Sequence, residues 1–272
     1  MVGHDRAMTG TFATFTIAAQ NLPEHARNAI HTDAGARAAG FPRALVAGVT
    51  TYAYLTHPIV AAWGTEWLRS GEAEVRFRSP VFDGDDLHCV PVLDEAHGLD
   101  AVEIQARVGD GEGARVVVAA RRRGSDAPAM RTGEPLRERT LHLDGELGAE
   151  YGWRAGDHLT LYRDEGLVHP AVWPAVANLV VHADVARGAW IHTRSIIRHH
   201  GLVPAGATAL VRSSVVRRFE SHGERAVLDV HIEVNDVIVA SLEHEAIVAL
   251  PERPQVPQKV WKLPNDSSAG SA

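Results

Sequence analysis

His31 and Asp33 stand two positions apart in the run Asn28-Ala29-Ile30-His31-Thr32-Asp33, with Glu24 a short way before them. A histidine beside a carboxylate can take a proton from water and deliver one to carbon. A long apolar segment opens soon afterwards at Gly48. If it is helical, the backbone N–H groups of Gly48 and Val49 lie at its N-terminus, where they and the helix dipole stabilise charge developing on an oxygen. Asn28 and Tyr52 flank this arrangement as candidate substrate contacts. The carboxylate is open between Asp33 and Glu24, both within reach of His31. Each residue also has a plainer use. His31 can cap loop backbone groups, and Asp33, ahead of alanine-rich residues, suits a helix N-cap.

The elements that would position these groups follow from periodicity. Val49, Tyr52, Ala53, Thr56, Val60, Trp63 and Trp67 recur in steps of three and four, and Leu55 and Ile59 widen the stripe. A helix apolar on most of its surface has to be wrapped by other structure. Pro58 is expected to bend or split it. Residues 34–39 form a short helical turn stopped by Gly40, with Pro42 beyond. Strands are expected over residues 10–19, 72–78, 87–93, 101–108 and 114–120, the last two joined by a glycine-rich hairpin tip. Residues 121–150 are polar and rich in Pro, Gly and Arg, as in a linker. The triplet Arg121-Arg122-Arg123 reads as a solvated strand end running into it.

The second half repeats this layout: a strand at 158–162, a helix from 171 to about 186, and strands at 190–198, 208–219, 226–234 and 237–249. Ala101-Val102 pairs with Ala226-Val227, Val116 with Val237, and Gly84 with Gly206, at a shift of about 120 residues. An internal duplication explains this, each copy being a helix wrapped by a curved antiparallel sheet, an α+β fold. Residues 1–125 form the first unit and carry the site, 126–150 a linker, 151–250 the second unit, and 251–272 an extended, partly disordered tail.

Composition narrows the partners. With 272 residues and 45% hydrophobic side chains there is material for a sizeable core. The net charge of -7 argues against nucleic acid. No apolar run approaches the ~20 residues that span a bilayer, and the N-terminus lacks a signal-peptide pattern. The single cysteine, Cys89, in a strand-like run, reads as a buried inert thiol and fits a reducing cytoplasm. There are 16 histidines, yet His199-His200 and His244, between Glu243 and Glu245, would point to opposite faces of strands. No metal and no cofactor is expected.

The run from Asn28 to Asp33, followed by Ala39-Gly40-Phe41 and Ala47-Gly48, resembles the hydratase segment of MaoC-like hot-dog proteins, the (R)-specific enoyl-CoA hydratases. In that resemblance Asn28 matches the family Asn, His31 the catalytic His and Gly48 the glycine opening the central helix. Ala26 stands in place of the catalytic Asp, Ala29 in place of a Pro, and Ala47 in place of a His. The segment His169-Pro170-Ala171-Val172-Trp173-Pro174 resembles polyketide-synthase dehydratase domains, with Pro174 where their Asp would be and Asn178 where Gln or His is usual. Trp173 is expected to pack or to line an acyl tunnel. The resemblance implies a double hot-dog and hydration or dehydration of a CoA- or carrier-linked acyl thioester at its 2,3-position, with His31 as acid/base. Alternatives are a hot-dog thioesterase, with Asp33 or Glu24 activating water, and a non-catalytic acyl-thioester-binding protein. A homodimer remains open, since the duplication already supplies two paired units.

Overall fold

The computed structural model describes residues 11–93 and 98–251. The tail expected after residue 251 lies outside the described residues. The first unit runs from β1 (Phe15–Ala18) through a short helix α1 (Asp33–Ala38) into the central helix α2 (Gly48–Ser70). Four strands follow: β2 (Glu72–Phe77), β3 (Asp86–Val92), β4 (Ala101–Val108) and β5 (Val116–Arg121). Alternation explains the strands. In β4 Val102, Ile104 and Ala106 are buried while the residues between them are not. α2 is buried nearly all round and packs on the sheet. Pro58 does not break it. The non-helical residue is Gly64, at φ 60° and ψ -149°, a conformation open essentially to glycine alone.

The segment expected as a linker supplies β6 (Glu134–Pro135) and β7 (Arg139–His142). Then come α3 (Glu150–Ala155), α4 (Leu161–Asp164), α5 (Val172–Val180), β8 (Ile191–His199), β9 (Thr208–Glu220), β10 (Glu224–Val234) and β11 (Val237–Ala249). The strand expected at 158–162 is replaced by the α4 turn. β10 and β11 meet at Asn235 and Asp236, at φ 51° and 62°, the geometry of a tight two-residue hairpin.

All strands share one 11-stranded sheet, in the order β1-β3-β4-β5-β2-β8-β11-β10-β9-β6, with β7 also on β9. The order is symmetric about the β2–β8 pair: β1-β3-β4-β5-β2 on one side answers β7-β9-β10-β11-β8 on the other. The loops repeat as well. Leu45 bridges Phe82 and Leu167 bridges Pro204. Val46 N–H donates to Val81 O, and Val168 N–H to Val203 O. Gly84 and Gly206 take φ 80° and 87°. The fold is a double hot-dog, α2 and α5 being the wrapped helices. Antiparallel pairing from Glu72↔Arg198 to Arg76↔Arg194 fuses the two sheets. Arg198 and Arg194 reach across this seam to Glu72 and Glu74, at 2.7 and 2.5 Å.

Candidate active site

Between the halves lies a cleft of about 380 Å³. One wall comes from residues 24–31 and the start of α2; the other comes from residues 142–147, Tyr151, α5 and Trp190. His31 ends a single helical turn, Ala29–His31. Its Nδ1 lies 2.8 Å from Leu45 O, while Leu45 N–H donates to Ile30 O. A carbonyl only accepts, so Nδ1 carries the proton and Nε2 keeps its lone pair. Burial holds the His31 pKa below the ordinary histidine value, against the pull of the Leu45 hydrogen bond.

Asn28 is buried and spends its amide on the chain: Nδ2 donates to Trp190 O at 2.8 Å, and Oδ1 accepts from Trp190 N–H at 3.4 Å. It ties the His31 loop to the entry of β8. α2 begins with the bond from Thr51 N–H to Ala47 O. The N–H groups of Gly48 and Val49 precede that bond and stand outside the helical ladder. A side chain at Gly48 would come within 3.0 Å of Phe77 Cζ and 3.3 Å of His192 Nδ1. Glycine is what lets the helix start approach β2 and β8.

Asp33, the expected carboxylate partner of His31, does not line the cleft. Its exposed carboxylate accepts from Ala44 N–H at 2.9 Å and from Arg37 at 2.9 Å, and the Ala44 hydrogen bond lowers its pKa. Thr32, not Asp33, caps α1, its Oγ1 accepting from Gly35 N–H. Tyr52, expected at the substrate, is fully buried in the core. Trp173 is also buried, its Nε1 donating to His199 Nδ1 at 3.2 Å. His31, Asn28, Gly48 and Val49 therefore gather at or beside the cleft, whereas Asp33, Tyr52 and Trp173 do not.

His25 was missed by the sequence reading. Its ring centroid lies 6.0 Å from that of His31, and its Nε2 is 3.0 Å from Thr50 Oγ1. Burial, then His31, pushes its pKa down to about 4, with Glu24 opposing. Glu24 lines the cleft and accepts from Arg154 Nη2 at 2.6 Å. The signal was a histidine immediately before Ala26, where the resembling family carries its acid. Among the described residues, no group of three or more His, Cys, Asp or Glu side chains is arranged to hold a metal.

At the matching point of the second half, the start of α5, His169, Asp157 and Ala171 are fully buried. His169 Nε2 lies 3.0 Å from Asp157 Oδ2, and His57 Nδ1 lies 2.6 Å from Asp157 Oδ1. Ala171 N–H donates to His169 Nδ1 at 3.1 Å, which places the His169 proton on Nε2. Burial alone would raise the Asp157 pKa, but the two imidazoles outweigh it and hold the carboxyl below its usual range.

The His31 loop and the start of α2 fall within residues 21–111, which match the family model described as MaoC like domain. The match covers 91 of the 272 residues. The chain as a whole resembles a conserved hypothetical protein of Mycobacterium tuberculosis described as having a double hot-dog fold. Identity is 14%, coverage 88% of this chain and 96% of the other, and the TM-score 0.60. It also resembles a putative MaoC domain protein dehydratase from Chloroflexus aurantiacus, at 11% identity over 91% of this chain and 99% of that one, with TM-score 0.58. At these identities the likeness is one of fold. No curated protein matches the sequence. The segment that matches this model contributes one wall of the cleft, and the second hot-dog unit contributes the other. Among the described residues no helix is long and apolar enough to cross a membrane.

Proposed function

We propose that the protein is an acyl-thioester hydratase/dehydratase acting at the 2,3-position of a CoA- or carrier-linked acyl group in the cytoplasm. The observation that carries this reading is the fixed tautomer of His31: Nδ1–H is committed to Leu45 O, and the Nε2 lone pair is left free in a residue that lines the cleft beside the start of α2. In hydration, the water oxygen bonds to C3 and its proton passes to His31 Nε2. The C2–C3 π electrons move toward the thioester oxygen, where the N–H groups of Gly48 and Val49 offset the charge. The imidazolium then protonates C2, and dehydration is the reverse. Asn28 acts by holding the loop. Neutral His25 and the Arg154-bound Glu24 border the position that the family gives to its acid.

Loss of enoyl absorbance from crotonyl-CoA tests this, with free thiol followed in parallel. The expected result is hydration without thiol release, reduced by about 10²-fold or more in His31→Ala. Equal rates in the variant would overturn His31. Thiol release would favour a thioesterase, for which the carboxylates lining the cleft are Glu24, Asp144 and Glu146.

A further inference from the structure

Beside the cleft lies a smaller chamber of about 60 Å³. Asn28, His31, Asn178 and Trp190 line both spaces and form the neck between them; Gly48 and His192 line the chamber alone. Three buried polar atoms on these lining residues have no hydrogen-bond partner among the described residues: His192 Nδ1, Trp190 Nε1 and Asn178 Oδ1. His192 is 6% exposed and Trp190 4%. A buried polar atom without a partner carries an uncompensated desolvation cost, so three around one small space call for a polar guest. His192 Nδ1 is directed at the Gly48 side of the chamber, 3.3 Å from where a Cβ would begin.

The chemistry of the guest follows from the lining. Among the described residues that border the chamber there is no Asp, Glu, Lys or Arg, so a charged group would be left uncompensated. Trp190 Nε1 only donates. His192 adapts. Ser195 Oγ lies 2.8 Å from both His192 Nε2 and His244 Nδ1, and a hydroxyl has one proton to share between them. If Ser195 donates to His244, His192 Nε2–H donates to Ser195 and Nδ1 is an acceptor. If the direction reverses, Nδ1 becomes a donor. The space holds the volume of about two waters and excludes a long alkyl chain.

We propose that this chamber binds a neutral oxygen function, a hydroxyl or keto group, carried beyond C3 on a short acyl chain whose C2–C3 bond lies at His31. The proposal rests on the acyl-thioester reading above and names its substrate class.

The test is calorimetric binding of 4-hydroxybutyryl-CoA, butyryl-CoA and octanoyl-CoA to the wild type, Trp190→Phe and His192→Phe. These ligands are saturated at C2–C3, so the result does not depend on hydration. The expected result is 4-hydroxybutyryl-CoA bound about tenfold more tightly than butyryl-CoA, with octanoyl-CoA weakest. Each variant reduces the hydroxyl preference, taken as the ratio of the two affinities in that variant, to within about twofold. Trp190→Phe keeps the aromatic bulk and removes only the donor, so it serves if His192→Phe does not fold. Equal affinities in the wild type, or no binding of any of the three, would overturn the proposal. So would a preference untouched by the variants, which would leave the chamber to water. A variant-sensitive hydroxyl preference in a protein that does not hydrate crotonyl-CoA would keep the chamber and remove the hydratase reading.

Discussion

Leu45 O accepts the His31 Nδ1 proton, and burial disfavours a second proton on the ring. The neutral, base-competent form of His31 therefore persists below the ordinary histidine pKa of 6.5. In a pH profile of kcat/KM for crotonyl-CoA hydration, the acidic limb should fall below pH 6.5, since this parameter reports the free enzyme. A limb at or above 6.5 would contradict the tautomer argument. Asp33 makes the contrast. It serves Ala44 and Arg37 outside the cleft, so Asp33→Asn should keep kcat/KM within about twofold of wild type under the same assay. A loss comparable to that of His31→Ala would return Asp33 to the chemistry. Spacing alone put Asp33 near His31 but could not say which way it pointed. Trp190 was out of reach for a different reason: its meaning comes from contacts between distant parts of the chain.

Elements with a strong period were legible in the sequence. β4 and β11 occupy the residues expected from alternation, and α2 starts at the expected glycine. β7 was missed because Arg139–His142 is short, polar and defined only by pairing with β9. Within α2, Pro58 attracted the expectation of a break that Gly64 makes. A Cβ on Gly64 would meet nothing within 4 Å, so Gly64→Ala isolates backbone strain from packing. It should lower unfolding stability by about 1–3 kcal/mol, read as a shift in urea midpoint at unchanged slope. An unshifted midpoint would mean that the helix relaxes without cost.

At the scale of the whole molecule, the duplicated core encloses neutral imidazoles. Burial brings His199 and His244 down to about 3. As pH falls through 6.5 the unfolded chain takes up protons at these positions, while the folded chain does not until about pH 3. The proton excess in the unfolded state makes stability rise with pH across that window, so it is lost on acidification. Asp157, with its lowered pKa, contributes stability above the usual carboxylate range and loses it only at still lower pH. Melting temperature followed by circular dichroism should be level above pH 7 and drop by roughly 5 °C or more by pH 4.5. A flat profile over that interval would remove the buried histidines as the cause.

The β2–β8 seam has one more consequence. Two identical subunits joined at such a seam must carry every substitution twice, once at each helix start. Joined in one chain, the copies are free to drift apart. Here one helix start faces an open cleft with His31, and its counterpart is closed over His57, Asp157 and His169. One chain thus holds two equivalent positions with different uses, one open and one packed.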